Sequence, residues 1–192
     1  MEFFAHLDEG GGRLPSGNRL YGFAAVLTSA AVHDHVTGSL LGELLPHRPY
    51  LHHYDETPER RIEIANTLTA LPLSGAIVIT EITRNTAQEK ARCHLLSELL
   101  PRLEHVERVT QVVVESRSGG DKHDRRTVDR LRRSHQVTGG LRLNHATKAA
   151  APLTWIADFL IGAYVCAELH DDPQAWEVLN QAHAIDVLRC SR

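Results

Sequence analysis

The sequence predicts an α/β fold: a mixed sheet of five strands with helices on both faces and a helical insertion between strands 2 and 3. Three observations carry this expectation. Two apolar runs near the start are joined by the turn-forming Pro15-Ser16-Gly17-Asn18, which reads as a hairpin. The all-apolar Val112-Val113-Val114 fits a strand buried on both faces. From about residue 75 onward, strand-like and helix-like patterns alternate, which is how chains build a sheet covered on both sides.

The first strand is the run Phe3-Phe4-Ala5-His6-Leu7, expected to stop at Asp8-Glu9 before Gly10 to Gly12. Arg19 to Ser29 is the second strand and Gly75 to Thr80 the third. Between them lies the insertion, about 30–72. Its helix starts at Thr57-Pro58-Glu59, an N-cap followed by proline at the first helical position, and Ile62, Ala65 and Leu68 recur at helical spacing. Residues 45–56 are its irregular tip. Thr86-Ala87-Gln88-Glu89 reads as a capping box opening a helix with the stripe Ala91, Leu95, Leu99, Leu103. A fourth strand follows at Val109 to Val114 and ends at Glu115. Then come a charged helix from Asp121 to His135, a short strand near Gly140 to Asn144, and an apolar helix around Asp158.

Composition narrows the class. At 192 residues and 42% hydrophobic content, with no Pro/Gly/Ser-rich linker, residues 1–192 read as a single domain. The longest apolar run is shorter than a membrane span and is broken by Asp158, and the N-terminus lacks a signal-peptide pattern, so no membrane partner and a cytoplasmic location are expected. Three scattered cysteines, Cys93, Cys166 and Cys190, form no disulfide framework. The net charge of −3 means that any nucleic-acid binding must be local. The last segment, Pro173 to Ile185, is amphipathic and suits a homodimer contact as readily as the chain's own core.

Asp158 is the most informative residue. It sits in Leu153 to Ala167, a stretch apolar on nearly every helical face, and an ionised carboxylate is taken out of water there only with compensation. It can stay protonated, pair with a base, or bind a cation. The cation is the reading preferred here, because Asp8 and Glu115 end strands that, if parallel neighbours, deliver both acids to one sheet edge, where such sheets place their sites.

The Asp8-Glu9-Gly10 strand end, Val114-Glu115-Ser116-Arg117-Ser118, and Trp155-Ile156-Ala157-Asp158-Phe159-Leu160-Ile161-Gly162-Ala163 together resemble the ribonuclease H-like superfamily. The resemblance spans roughly residues 3–167. It is nearest to a widespread bacterial group with an Asp-Glu-Ser start, an Asp-Lys-Arg-like strand end and a Leu-Gln-x-Ala-Asp helix. It implies a sheet of ribonuclease H-like type and a metal-dependent nuclease or phosphodiesterase, with Asp8, Glu115 and Asp158 as catalytic metal ligands for Mg²⁺ or Mn²⁺. Asp8 would bridge two ions about 3.5–4 Å apart. Three departures stand out: Gly10 in place of Ser, Glu115 in place of Asp, and Trp155 in place of Gln. For the superfamily's fourth acid only Glu89 is a loose candidate.

Auxiliary residues follow from position. Lys148, just before the Asp158 helix, is placed to meet a phosphate. Glu9, Asp121 and His123 flank the acids, and Asp124 stands with them as a proton carrier. His53, with His52, Tyr54 and Asp55, sits at an insertion tip that can overhang the site. Lys122, Arg125 and Arg126 offer local positive charge to a nucleic-acid partner, RNA or DNA, although Asp121, Asp124 and Asp129 equally suit a solvated, ion-paired face. His52-His53 lacks a third nearby ligand for zinc. The competing function is a catalytically silent ribonuclease H-like scaffold that binds nucleic acid or a protein partner. A histidine-based zinc hydrolase is a third.

Overall fold

A computed structural model describes residues 2–83, 87–183 and 185–190. Its centre is a six-stranded mixed sheet with strand order β5-β4-β1-β2-β3-β6. β1 (Phe3–Arg13) and β2 (Arg19–Ser29) form the expected antiparallel hairpin, and β3 (Ser74–Ile82) continues antiparallel from β2. β4 (Val109–Glu115) runs parallel to β1, and β5 (Arg142–Ala146) runs parallel to β4.

Strand alternation sorts the side chains into two cores. Ala5 and Leu7 of β1, with Tyr21, Phe23, Ala25 and Leu27 of β2, face α3 (Gln88–His105) and α4 (Asp121–Arg133). Leu20, Ala24 and Val26 face the other way, toward α1 (His33–Gly42), α2 (Pro58–Thr69), α5 (Thr154–Leu169) and α6 (Gln174–His183). Helices therefore cover both faces. α5 is buried from Thr154 through Cys166 because it is wedged between the sheet and α6, as its all-round apolar sequence requires. Within the insertion, Thr57 caps α2 by accepting a hydrogen bond from Arg60 N–H, with Pro58 at the first helical position.

Two strand expectations need correction. β1 does not stop at Asp8; it runs five residues further and stays paired with β2 out to Arg13 opposite Arg19. The glycines read as a terminating turn are part of the ladder, and the missing side chains of Gly10 and Gly12 admit α5: a Cβ on Gly10 would lie 2.7 Å from Ile161 Cγ1. The β1–β4 pairing, however, ends at Leu7 opposite Val114, so Asp8 still stands level with the end of β4. The sheet also has six strands rather than five, because β6 (Asp186–Arg189) adds parallel to β3. Four residues, with only Val187 and Leu188 apolar, give a signal too short to read beside the amphipathic helix before it. That helix, α6, places Ala175 and Leu179 in the chain's own core. Thr86 of the expected capping box lies outside the described residues; α3 is described from Gln88, with Ala87 at its N-cap. Among the described residues no helix is long and apolar enough to cross a membrane.

The face under α3 holds a buried ionic network that ties four elements together. Arg92, 1% exposed on α3, donates two 2.8 Å hydrogen bonds to the carboxylate of the fully buried Asp124 on α4 and a 2.6 Å bond to Glu9 on β1. His145 of β5 joins Asp124 at 2.9 Å, and the Arg92 guanidinium lies over the Phe23 ring. Burial alone would raise the Asp124 pKa, but the Arg92 and His145 contacts outweigh it and hold the group below its ordinary 3.8. Its stabilising contribution is therefore complete above pH 3.8 and drains as pH falls through the lower, folded value. Asp124→Asn is expected to cost about 3–5 kcal/mol at neutral pH, because it strands a buried guanidinium. In urea denaturation the gap between variant and wild type should narrow below pH 3.8.

Candidate functional site

Three acids from three elements meet where β4 and β5 end and the pairing of β1 with β4 stops. Asp8 lies on the α5-facing side of β1, Glu115 is the last residue of β4, and Asp158 lies on the second turn of α5. What they share is the ammonium of Lys148, which sits on a single 3₁₀ turn (Lys148–Ala150) after β5. Its Nζ is 2.8 Å from Asp158 Oδ1, 3.3 Å from Asp8 Oδ2 and 3.5 Å from Glu115 Oε2. Asp8 and Asp158 are 4% and 6% exposed, and Lys148 is 8% exposed.

Each acid has further support. Asp158 Oδ2 accepts a 2.7 Å hydrogen bond from the backbone N–H of His53, so the insertion tip reaches the α5 carboxylate. Asp8 Oδ1 accepts from Glu9 N–H at 2.7 Å, whereas the buried Oδ2 makes no hydrogen bond. Burial first, then the charges of Asp158 and Glu115, push the Asp8 carboxyl well above the ordinary carboxylate range against the pull of Lys148. For Lys148, burial works against the charged form, yet Asp158, Asp8 and Glu115 outweigh it and raise its pKa. The cluster is thus a group of three carboxyls, two of them buried, organised around one ammonium.

The cluster opens into a cavity of about 210 Å³. Glu9 and Arg92 reach its wall from the opposite face of β1, Arg117 lines the side after β4, and His52 closes the insertion side with Nε2 3.7 Å from Asp158 Oδ1. Arg117 is steered by Glu9 at 3.6 Å and Glu89 at 3.2 Å, and its backbone N–H donates to Asp121. The tip is anchored from below: His53 is fully buried with its ring edge-on to Phe159, and Arg61 donates to its carbonyl. Gly162 leaves the notch that holds this ring, since a Cβ there would lie 2.4 Å from His53 Cγ.

The structure separates the residues singled out from sequence. Asp8, Glu115, Asp158 and Lys148 come together, and Glu9 lines the same cavity while bonding Arg92 and the Tyr21 hydroxyl. His53 contributes a backbone N–H rather than its ring. Asp121, the first residue of α4, accepts from the Ser116 hydroxyl and the Arg117 N–H at 2.8 Å and so ties the loop after β4 to the helix. Asp124 is fixed in the buried network by Arg92 and does not line the cavity. His123, Lys122, Arg125 and Arg126 do not line the cavity, and Arg125 instead borders a separate groove with Arg132 and Leu143. Glu89 pairs with Arg117 and makes no fourth cluster acid. Lys148 meets acids where a phosphate was expected. Sequence reasoning missed Arg92, whose signal is an arginine inside the apolar stripe of α3, and Arg117, which had none beyond its proximity to Glu115.

No protein-family model and no curated protein matches the chain. Among solved structures, a chain in the PCNA:RNase HII complex from Archaeoglobus fulgidus superposes with a TM-score of 0.55 at 17% identity, over 93% of this chain and 87% of that one. The chain has a ribonuclease H-like fold. The ribonuclease H2 from Pyrococcus horikoshii OT3 aligns over 93% of this chain and 76% of that one, at 16% identity and a TM-score of 0.49.

The seating of the tip on α5 is open to a direct test. Gly162→Ala in a helix interior ordinarily stabilises by about 1 kcal/mol. Here the added methyl meets a fully buried ring with no room to yield, so a net loss of about 1–3 kcal/mol is expected in thermal or urea denaturation. A more stable variant would show that His53 is not packed against Gly162.

Proposed function

We propose that the chain is a divalent-metal-dependent nuclease that hydrolyses nucleic-acid phosphodiester bonds, with Asp8, Glu115 and Asp158 as the ligands of Mg²⁺ or Mn²⁺. The observation that carries this reading is the convergence of three acids, from β1, β4 and α5, on one point at the carboxyl edge of a ribonuclease H-like sheet. The donor set fits such an ion. Hard divalent cations prefer carboxylate oxygens, and Asp8 Oδ2 is a buried oxygen with no hydrogen-bond donor.

When bound, such an ion supplies Lewis acidity toward the phosphoryl oxygens and an acidified water. The chain's own residues do the positioning. His53 N–H fixes one oxygen of Asp158 and leaves the other facing the shared point. Glu9 N–H does the same for Asp8. Arg117 is held by Glu9 and Glu89 on the cavity wall, where its guanidinium meets a phosphate entering from solvent. Lys122, Arg125 and Arg126 lie on the α4 stretch that follows Glu115 and supply positive charge beside the same edge, outside the cavity. With a net charge of −3, backbone contacts of this local kind make binding weaken steeply with salt.

One observation favours the second reading, a catalytically silent scaffold that binds nucleic acid or a protein partner. Among the described residues no three His, Cys, Asp or Glu side chains stand close enough to hold an ion as they are, because Lys148 occupies the space between them. Hydrolysis separates the two. Labelled single- and double-stranded RNA and DNA are incubated with Mg²⁺ or Mn²⁺ and wild type, Asp8→Asn or Asp158→Asn. The nuclease reading expects cleavage that falls roughly 100-fold or more in either variant, since each removes a ligand worth several kcal/mol to the transition state. Cleavage untouched by both substitutions contradicts this site, and no cleavage of any substrate favours the scaffold.

A further inference from the structure

Lys148 does not do what a phosphate-binding lysine does. Such a residue projects into the open cavity; Lys148 turns inward, and its ammonium lies within 3.5 Å of oxygens of three different acids. Only the Asp158 contact, at 2.8 Å, has hydrogen-bond length. The other two are ion-pair distances, so the acids are arranged around the nitrogen much as they would be around a small cation. Carboxylate oxygens approach Mg²⁺ or Ca²⁺ at about 2.0–2.6 Å, well inside the separations seen here. A divalent ion and an ammonium cannot share this point, because two positive charges a few ångströms apart in a site largely withdrawn from water repel strongly.

We propose that Lys148 is an intramolecular occupant of the cation position, and that a divalent ion enters the cradle of Asp8, Glu115 and Asp158 only by displacing its ammonium. The inference rests on the metal-dependent reading above and goes beyond it, since it makes Lys148 the residue that sets the affinity for the ion. Three features of the chain suit an exchange. Asp8 and Asp158 are nearly buried beside one another, so a cation of either kind placed between them favours the ionised form of both. The Lys148 backbone is clamped, because its carbonyl accepts a 2.7 Å hydrogen bond from the indole of the buried Trp155, which leaves the flexible four-carbon stem as the part that moves. The stem already lines the cavity of about 210 Å³, which gives the withdrawn side chain somewhere to go. Leaving the cradle would carry its positive charge into the space where Arg117 already faces incoming phosphate.

The experiment is calorimetric titration of the full chain with MnCl₂, with no substrate present, for wild type, Lys148→Met and Asp158→Asn. Lys148→Met is expected to bind Mn²⁺ at least tenfold more tightly than wild type, equivalent to 1.4 kcal/mol, and Asp158→Asn to lose binding. In thermal denaturation Lys148→Met should be less stable than wild type without Mn²⁺ and regain stability with it. Should Lys148→Met not fold in metal-free buffer, Lys148→Gln, which keeps a hydrogen bond to Asp158 without the charge, carries the same expectation. Binding unchanged or weakened in the Lys148 variants but lost in Asp158→Asn overturns the exchange and leaves the metal site standing. Binding absent from wild type and from both Lys148 variants, or unaffected by Asp158→Asn, overturns the metal reading and this inference with it.

Discussion

Acidic side chains gathered in a corner with little water repel one another and lose hydration, so a fold that buries Asp8 and Asp158 beside Glu115 keeps them ionised only with positive charge between them. Lys148 Nζ meets that requirement here. Much of the architecture around it is explained by the need to bring these groups together. The parallel β1–β4 pairing ends at Leu7 and Val114, so the next residue of each strand is an acid. Missing side chains at Gly10 and Gly12 let α5 lie against β1, which brings Asp158 to Asp8. The segment between β2 and β3 then closes the third side through the His53 N–H.

A second charged network, on the opposite face of β1, holds this frame in place. Arg92, Asp124, His145 and Glu9 tie α3, α4, β5 and β1 together beneath the sheet edge. Glu9 belongs to both systems: its neighbour Asp8 points to α5 while Glu9 points to Arg92 and reaches Arg117 on the cavity wall. The adjacent acids of one strand thus serve opposite faces, as the two-residue period of a strand dictates.

How much of this was legible in the sequence depends on whether the signal was local. Asp158 stood out because a carboxylate in an all-apolar helix needs compensation, and that argument requires no contact map. The shared edge of Asp8 and Glu115 followed on the condition that their strands are parallel neighbours, which β1 and β4 are. The compensating group was not legible: Lys148 precedes α5 by a few residues, and nothing in its neighbourhood says whether its stem turns toward acids or solvent. Arg92 was hidden within a leucine stripe, where one long side chain looks like helix patterning noise until its partners on α4, β1 and β5 are known. Glycine misled most directly. Gly10 to Gly12 resemble a turn in sequence, yet they lie in an antiparallel ladder, where Gly10 and Gly12 mark a helix crossing close overhead.

The claim on which the account depends is that the point between Asp8, Glu115 and Asp158 is a cation position, and anomalous diffraction from crystals soaked in Mn²⁺ tests it most directly. The account expects a manganese peak within ligating distance of all three carboxylates, with Lys148 Nζ withdrawn from its present 2.8 Å contact with Asp158. A saturating soak that leaves no peak there, with the ammonium still seated among the acids, would contradict it.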